Sequence, residues 1–184
     1  ARRYRLGWIE AIGTAPRYPP TEGWPLLIAQ LIDTLEREYR GEPVYGVGHS
    51  LGAYLNFIAA AQRPELFRGI VMLDAPVIGA LRGRALGAVK RLGIVDRVTP
   101  AGMTRERRSE WSSREEAKAH FRTRRLFRHF TDECLEDYVR HGLAGAPGSY
   151  RLRIDPEIEY RIYRTIPHDM SRHLPKLKVP AGFV

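Results

Sequence analysis

Cysteine is almost missing from this 184-residue chain: Cys134 stands alone. No disulfide can close within the chain, and no cysteine-based metal site can be assembled. A single thiol fits a reducing, cytoplasmic compartment. Lysine is scarce as well, confined to Lys90, Lys118, Lys176 and Lys178, so arginine carries most of the formal charge of +9. No apolar run reaches the roughly 20 residues of a membrane-spanning helix, and no signal-peptide pattern opens the chain. His-Glu-x-x-His spacing is absent, and Gly46-x-Gly48 lacks the Gly-Lys-Ser/Thr ending of a phosphate loop. Neither a metal nor a cofactor is therefore expected. Internal repeats and low-complexity linkers are absent too. The chain opens at Ala1 rather than Met and closes on the apolar run Val179-Pro180-Ala181-Gly182-Phe183-Val184. Both ends are expected to be cuts in a longer chain.

The charge that is present is unevenly spread. From Arg82 to Arg128, fourteen Lys and Arg face five acids (Asp96, Glu106, Glu110, Glu115 and Glu116), which equals the excess of the whole chain. Such a stretch can meet anionic lipid, nucleic acid or an acidic substrate; a solvated helical face is the plainer reading. Within it, Phe121-Arg122-Thr123-Arg124-Arg125-Leu126-Phe127-Arg128 interleaves aromatics with arginine. Helical spacing makes an amphipathic helix the simpler account, and nucleic acid is not the expected partner.

One stretch organises the remainder. Val44-Tyr45-Gly46-Val47 is a β-forming run that climbs into Gly48-His49-Ser50-Leu51-Gly52, and the apolar pattern from Ala53 to Ala61 leaves it as a helix. A serine thus sits at the apex of a strand–turn–helix, in a Gly-x-Ser-x-Gly frame. The glycines suit a crowded turn in which a Cβ at either place would meet backbone or force a costly dihedral.

On either side the pattern alternates. Tyr4 to Glu10 reads as a strand, and Gly13 to Gly23 as a loop. Pro25 opens an amphipathic helix through Leu27, Ile28, Leu31, Ile32, Leu35 and Tyr39, closed by Gly41. Gly69 to Leu73 is a buried strand that ends at Asp74-Ala75-Pro76. Strand–helix alternation with short loops predicts a parallel sheet with right-handed crossovers. From Ile78 the pattern turns helical. Ser112-x-x-Glu115 is a capping box for a helix running towards Phe130. Thr131 or Asp132 caps another, stopped by Gly142, then Gly145 to Gly148 form a loop. A further helix spans Pro156 to Ile166, and a last strand spans Val179 to Val184.

The chain resembles the α/β-hydrolase superfamily, in its serine esterase/lipase-like branch. The resemblance rests on the Gly48–Gly52 elbow, on Arg63-Pro64-Glu65-Leu66-Phe67-Arg68-Gly69, on the strand with Asp74-Ala75-Pro76, and on Leu174-Pro175-Lys176-Leu177-Lys178-Val179-Pro180. It implies an α/β fold: a partial hydrolase sheet with helices on both faces, formed by residues 1–77 and 167–184, plus an inserted α-helical cap over 78–166. By likeness, the strand at Tyr4 is the family's fourth. Those at Val44, Ile70 and Val179 are its fifth, sixth and seventh, and the third is expected upstream of Ala1. Without it, the 184 residues are not expected to form a stable monomer.

The resemblance also assigns roles. Ser50 is the nucleophile, and the backbone N–H of Leu51 an oxyanion donor; the second donor is expected before Ala1. Among His49, His120, His129, His141, His168 and His173 none has the expected place of the base, which together with the acid is expected beyond Val184. His49 reads as a packing residue beneath the turn, His120 and His129 as surface residues, and His168-Asp169 as a hinge. Asp74 is the alternative acid, against a plain loop role. The implied activity is hydrolysis of a small-molecule acyl substrate, a carboxylic ester, through an acyl-enzyme, with the 184 residues inert on their own. Two other classes remain: a non-catalytic hydrolase-like binding protein, and a basic nucleic-acid-binding module.

Overall fold

A computed structural model of the chain describes residues 4–75, 80–99, 101–105 and 107–184. Its main sheet is parallel. Strand β1 (Val44–His49) runs beside β2 (Phe67–Leu73), with Tyr45 opposite Gly69 and His49 opposite Leu73. Strand β6 (Ala181–Phe183) lines the other edge of β2, with Ile70 opposite Ala181. Helix α1 (Pro25–Tyr39) starts on its proline and ends where Arg40 and Gly41 turn left-handed. Helix α2 (Leu51–Gln62) is buried from Ala53 to Ala61. It is apolar nearly all round because it lies between the sheet and α1.

The strand order explains which face is covered. The chain steps from β1 to β2 and from β2 to β6 in one direction across the sheet. Right-handed crossovers then put both connections on the same side. Accordingly α2 packs on β1 and β2, while α1 and the 3₁₀ turn Met170–Lys176 pack on α2. The opposite face is open, with Tyr45 61% and Val47 64% exposed. The expectation of helices on both faces is therefore met, among the described residues, on one.

The strand expected over Tyr4 to Glu10 does not form. The segment is irregular, and Tyr4, Leu6 and Trp8 are exposed. The outer edge of β1 has no ladder partner among the described residues. An extended segment without a neighbour to exchange backbone hydrogen bonds has little to hold it as a strand. Its tie to the sheet is Tyr4, edge-on to the Tyr45 ring at 6.2 Å.

The segment expected to be helical is mixed. It begins with α3 (Ala80–Arg91), α4 (Val95–Val98) and α5 (Ala101–Arg105). Strands β3 (Glu110–Trp111), β4 (Leu143–Ala146) and β5 (Ser149–Leu152) then make an antiparallel sheet in the order β3-β5-β4. Of the loop expected from Gly145 to Gly148, Pro147 and Gly148 form the hairpin turn, while Gly145 and Ala146 are the end of β4. A Cβ at Gly145 (φ 119°) would lie 2.1 Å from the Ser149 carbonyl. These strands are too short to show an alternating pattern. Helices α6 (Arg114–Arg122) and α7 (Asp132–Gly142) close on them over a second core of Trp111, Phe121, Leu135 and Leu143. Helix α8 (Pro156–Arg164) returns to the first core, where the Trp24 indole donates to the Ile162 carbonyl at 3.0 Å.

Helix α6 is shorter than expected. Phe127 folds back to stack on Phe121 at 5.0 Å and on Tyr138 at 4.7 Å. Its start is shifted by one residue from the sequence reading. Ser113 Oγ accepts from the Glu116 N–H at 3.0 Å, and the Glu116 carboxylate accepts from the Ser112 N–H at 2.8 Å and its hydroxyl at 2.6 Å. This is a capping box with the reciprocal contact displaced to the residue before the cap.

Two outcomes follow from this packing. The Ser112 hydroxyl and N–H, with Arg108, hold the Glu116 carboxyl down from 4.5 to about 2. A depressed acid contributes stability above its unfolded value and loses it as pH falls towards the folded value. Glu116→Ala should lower the melting temperature at neutral pH, with the deficit shrinking between pH 4.5 and about 2; a deficit unchanged by acid would contradict the capping role. The open face of β1 should make the 184-residue chain bind anilinonaphthalene sulfonate and melt broadly. A sharp two-state melt without dye binding would contradict that expectation.

Candidate active site

Ser50 lies where β1 passes into α2. Its backbone has φ 49° and ψ −114°, a conformation few non-glycine residues adopt. Three backbone bonds hold it there. The Ser50 N–H donates to the Leu73 carbonyl at 3.1 Å, which ties the turn to the end of β2. The Ser50 carbonyl accepts from Ala53 N–H at 3.1 Å and from Tyr54 N–H at 3.2 Å, which starts the helix. The turn is over-determined by a strand on one side and a helix on the other.

Gly48 makes the turn possible. A Cβ there would sit 2.3 Å from the Gly52 carbonyl carbon and 2.5 Å from the Ala53 nitrogen. Those are rigid backbone atoms, so the helix could not start so close to the strand. Gly52 is different: a Cβ there meets nothing within 4 Å, and its φ is not positive. The sequence reading that both glycines are sterically required holds for the first alone. Ala53 and Tyr54 donate to the Ser50 carbonyl, so the N–H groups of the first turn of α2 that have no intrahelical acceptor are those of Leu51 and Gly52. Leu51 contributes one of them, beside the half-buried Ser50. Such a helix start favours negative charge.

Asp74 ends the neighbouring strand in a matching way. It too has positive φ (46°), and its N–H donates to the Val184 carbonyl at 2.8 Å. Its carboxylate is exposed and lies 3.9 Å from His49 Nε2, which is also exposed. His49 is therefore not a packing residue. It follows Val47 and Tyr45 onto the open face, because alternate residues of a strand share a face. Tyr54 stands one helical turn after Ser50. Burial first, and then the Asp74 carboxylate, raises its phenol above the ordinary value.

The other histidines lie in other settings. His173 is buried beneath α2, edge-on to Phe57 at 6.3 Å, and burial lowers its ring's proton affinity. His168 sits 3.9 Å from the Glu22 carboxylate. Its backbone presses on α3, where a Cβ at Gly83 would meet the His168 carbonyl oxygen at 2.1 Å. His120 is not a plain surface residue: it packs on Trp111 at 5.6 Å, and burial, then Arg124, lower its proton affinity. Among the described residues, no hydrogen bond joins the Ser50 hydroxyl to any histidine. A cavity of about 160 Å³ lies away from the elbow, between Glu22, Ile28, Ile58, Gln62, Arg172 and His173. No group of three or more His, Cys, Asp or Glu among the described residues is arranged to hold a metal ion. No helix among them is long and apolar enough to cross a membrane.

Comparison with known proteins adds to this geometry. The sequence profile described as "Alpha/beta hydrolase family" matches residues 5–179. Monoglyceride lipase of Mus musculus is 33% identical over 51 residues, which are 28% of this chain and 17% of that protein. Among solved structures, E-2-(acetamidomethylene)succinate hydrolase superposes with a TM-score of 0.65 at 18% identity, covering 90% of this chain and 56% of that one. A peroxisomal alpha-beta-hydrolase of Saccharomyces cerevisiae gives 0.62 at 12% identity, covering 90% and 46%. At such identities the superpositions show the fold. The chain spans about half the length of these solved structures.

The two glycines of the elbow should respond in opposite senses. Gly48→Ala drives a Cβ into backbone and should cost about 1–3 kcal/mol of stability. Gly52→Ala adds a methyl to open space inside a helix and should be neutral or stabilise by up to about 1 kcal/mol. Thermal melts of the two variants compare them directly; equal losses would contradict the geometry.

Proposed function

The chain belongs to the alpha/beta hydrolase family, and from that premise we propose that it carries the nucleophile of a serine hydrolase acting on a carboxylic ester. The observation that carries this reading is Ser50, held at positive φ between β1 and α2. Strained, over-determined residues of this kind concentrate at functional sites. A strand–turn–helix with serine at its tip is also the frame in which the family exposes its nucleophile.

The chemistry follows from the parts. Ser50 Oγ attacks the ester carbonyl as a histidine base takes its proton. Negative charge then develops on the carbonyl oxygen, and the Leu51 N–H at the start of α2 donates to it. Collapse breaks the C–O bond to the alcohol, which leaves with the proton from the histidine. Water repeats the sequence on the acyl-enzyme and releases the carboxylic acid. We assign neither base nor principal acid among residues 1–184. Asp74 is retained as the alternative acid: it ends the adjacent strand, also has a positive φ, and lies near the elbow's own His49. Residues 78–166 are assigned to a cap above the site. The name of the mouse relative supports a glycerol ester of a fatty acid as the substrate class.

A fluorophosphonate probe tests the assignment, because it phosphonylates a serine only when a working base activates it. The complete protein should be labelled, and Ser50→Ala should lose the label and drop ester turnover by at least about 10³-fold. Labelling that survives the substitution would remove Ser50 from the mechanism. A folded wild-type protein that never labels would favour the non-catalytic binding protein. The 184-residue chain by itself should not label.

A further inference from the structure

The arginine-rich turn after α6 presents an unusual surface. Phe121 and Phe127, the aromatics that alternate with arginine in the sequence, point inward and are buried in the second core. Arg122 is occupied: it pairs with Asp132, and its guanidinium donates to the Phe130 carbonyl at 2.7 Å. Arg124 is turned back onto the His120 ring at 3.3 Å. Arg125 and Arg128 are exposed, and no carboxylate among the described residues pairs with either. Between them Leu126 stands 73% exposed, and Phe130 is partly exposed nearby in the chain. Residues 122–130 contain no acid; the nearest that follow are Asp132, held by Arg122, and Glu133.

We propose that the turn formed by residues 122–130 docks on an anionic phospholipid bilayer, with Arg125 and Arg128 at the headgroups and Leu126 inserted between them. Charge complementarity selects a polyanionic surface, since unpaired arginines are attracted to it within a Debye length. The exposed leucine selects a bilayer over a nucleic acid. Single-stranded nucleic acid is held by aromatic faces on which bases stack; Phe121 and Phe127 have theirs turned into the core, which leaves the partly exposed Phe130 as the one phenylalanine at this surface. A leucine ringed by cations instead matches the interfacial pattern, in which an apolar side chain enters the headgroup region and basic residues hold it there. This inference does not depend on Ser50 being a nucleophile.

Vesicle flotation with the complete protein tests it. Vesicles of phosphatidylcholine with a third phosphatidylserine should capture the protein at least about tenfold more strongly than pure phosphatidylcholine, with capture falling as salt rises. Arg125→Glu with Arg128→Glu should abolish the preference, and Leu126→Ser should weaken capture several-fold on the same vesicles. All three positions are exposed, and a melt matching that of the parent protein certifies each variant's fold. Attachment through the open face of β1 would not distinguish the two lipids, so equal capture overturns the proposal. Capture unchanged by the arginine reversal also overturns it. Binding of a single-stranded RNA that competes with the anionic vesicles and is indifferent to Leu126→Ser would assign the turn to nucleic acid instead.

Discussion

The structure depends on one close approach. Helix α2 begins so near the end of β1 that no side chain fits between them, and Gly48 supplies the missing volume. Because strand and helix meet this tightly, the residue between them must turn at positive φ, and that residue is Ser50. The bond from its N–H to the Leu73 carbonyl then locks the turn to β2. A serine in this position is displayed by backbone geometry, independently of its own side-chain contacts. The N–H groups that open α2 are brought to the same place by the same turn.

The arrangement of the sheet follows from a similarly local rule. Each crossover is right-handed, and the strands are taken in the order β1, β2, β6. A steady march across a sheet puts every connecting element on one side. That side holds the core of Leu27, Leu55, Phe57, Ile58 and Met72. The other side shows the alternate residues of β1, including His49, which is why His49 lies in the open near Asp74. The elbow therefore sits at a border between a packed face and an exposed one.

What could be read from the sequence was what local rules decide. The Gly-x-Ser-x-Gly frame, the proline start of α1, a cap for α7 at Thr131 or Asp132 (the structure uses Thr131) and the apolar run of β2 are legible, because each is fixed by residues within a few positions of one another. The misreadings arose where the outcome depends on a distant neighbour. Tyr4 to Glu10 has the composition of a strand but pairs with none of the described strands. Glu110–Trp111 and Leu143–Ala146 have little strand pattern and become strands because Ser149–Leu152 lies between them. The helical spacing through Phe127 predicts a continuing helix, whereas its contacts with Phe121 and Tyr138 are made from a turn. The start of α6 was misplaced by one residue because two serines stand side by side, and only the geometry shows which of them accepts from Glu116.

The same distinction divides the candidate site. Holding negative charge is a local property, since a helix start and a tight turn create it from adjacent residues. Moving a proton is not. Serine's hydroxyl is a poor nucleophile at neutral pH until a base is brought within hydrogen-bond reach. That base can come from anywhere in the chain that the fold delivers to the mouth of the turn. In the proposed site, Ser50 and the Leu51 N–H supply the local part of the charge-holding half, side by side where α2 begins. Four of the six described histidines have other settings: His173 in the core under α2, His120 against Trp111, His168 at the flank of α3, and His49 on the open face; His129 and His141 are exposed. A site with the first half alone can bind an ester carbonyl or an anion and still leave the ester bond intact, because stabilising an oxyanion does nothing until a nucleophile has lost its proton.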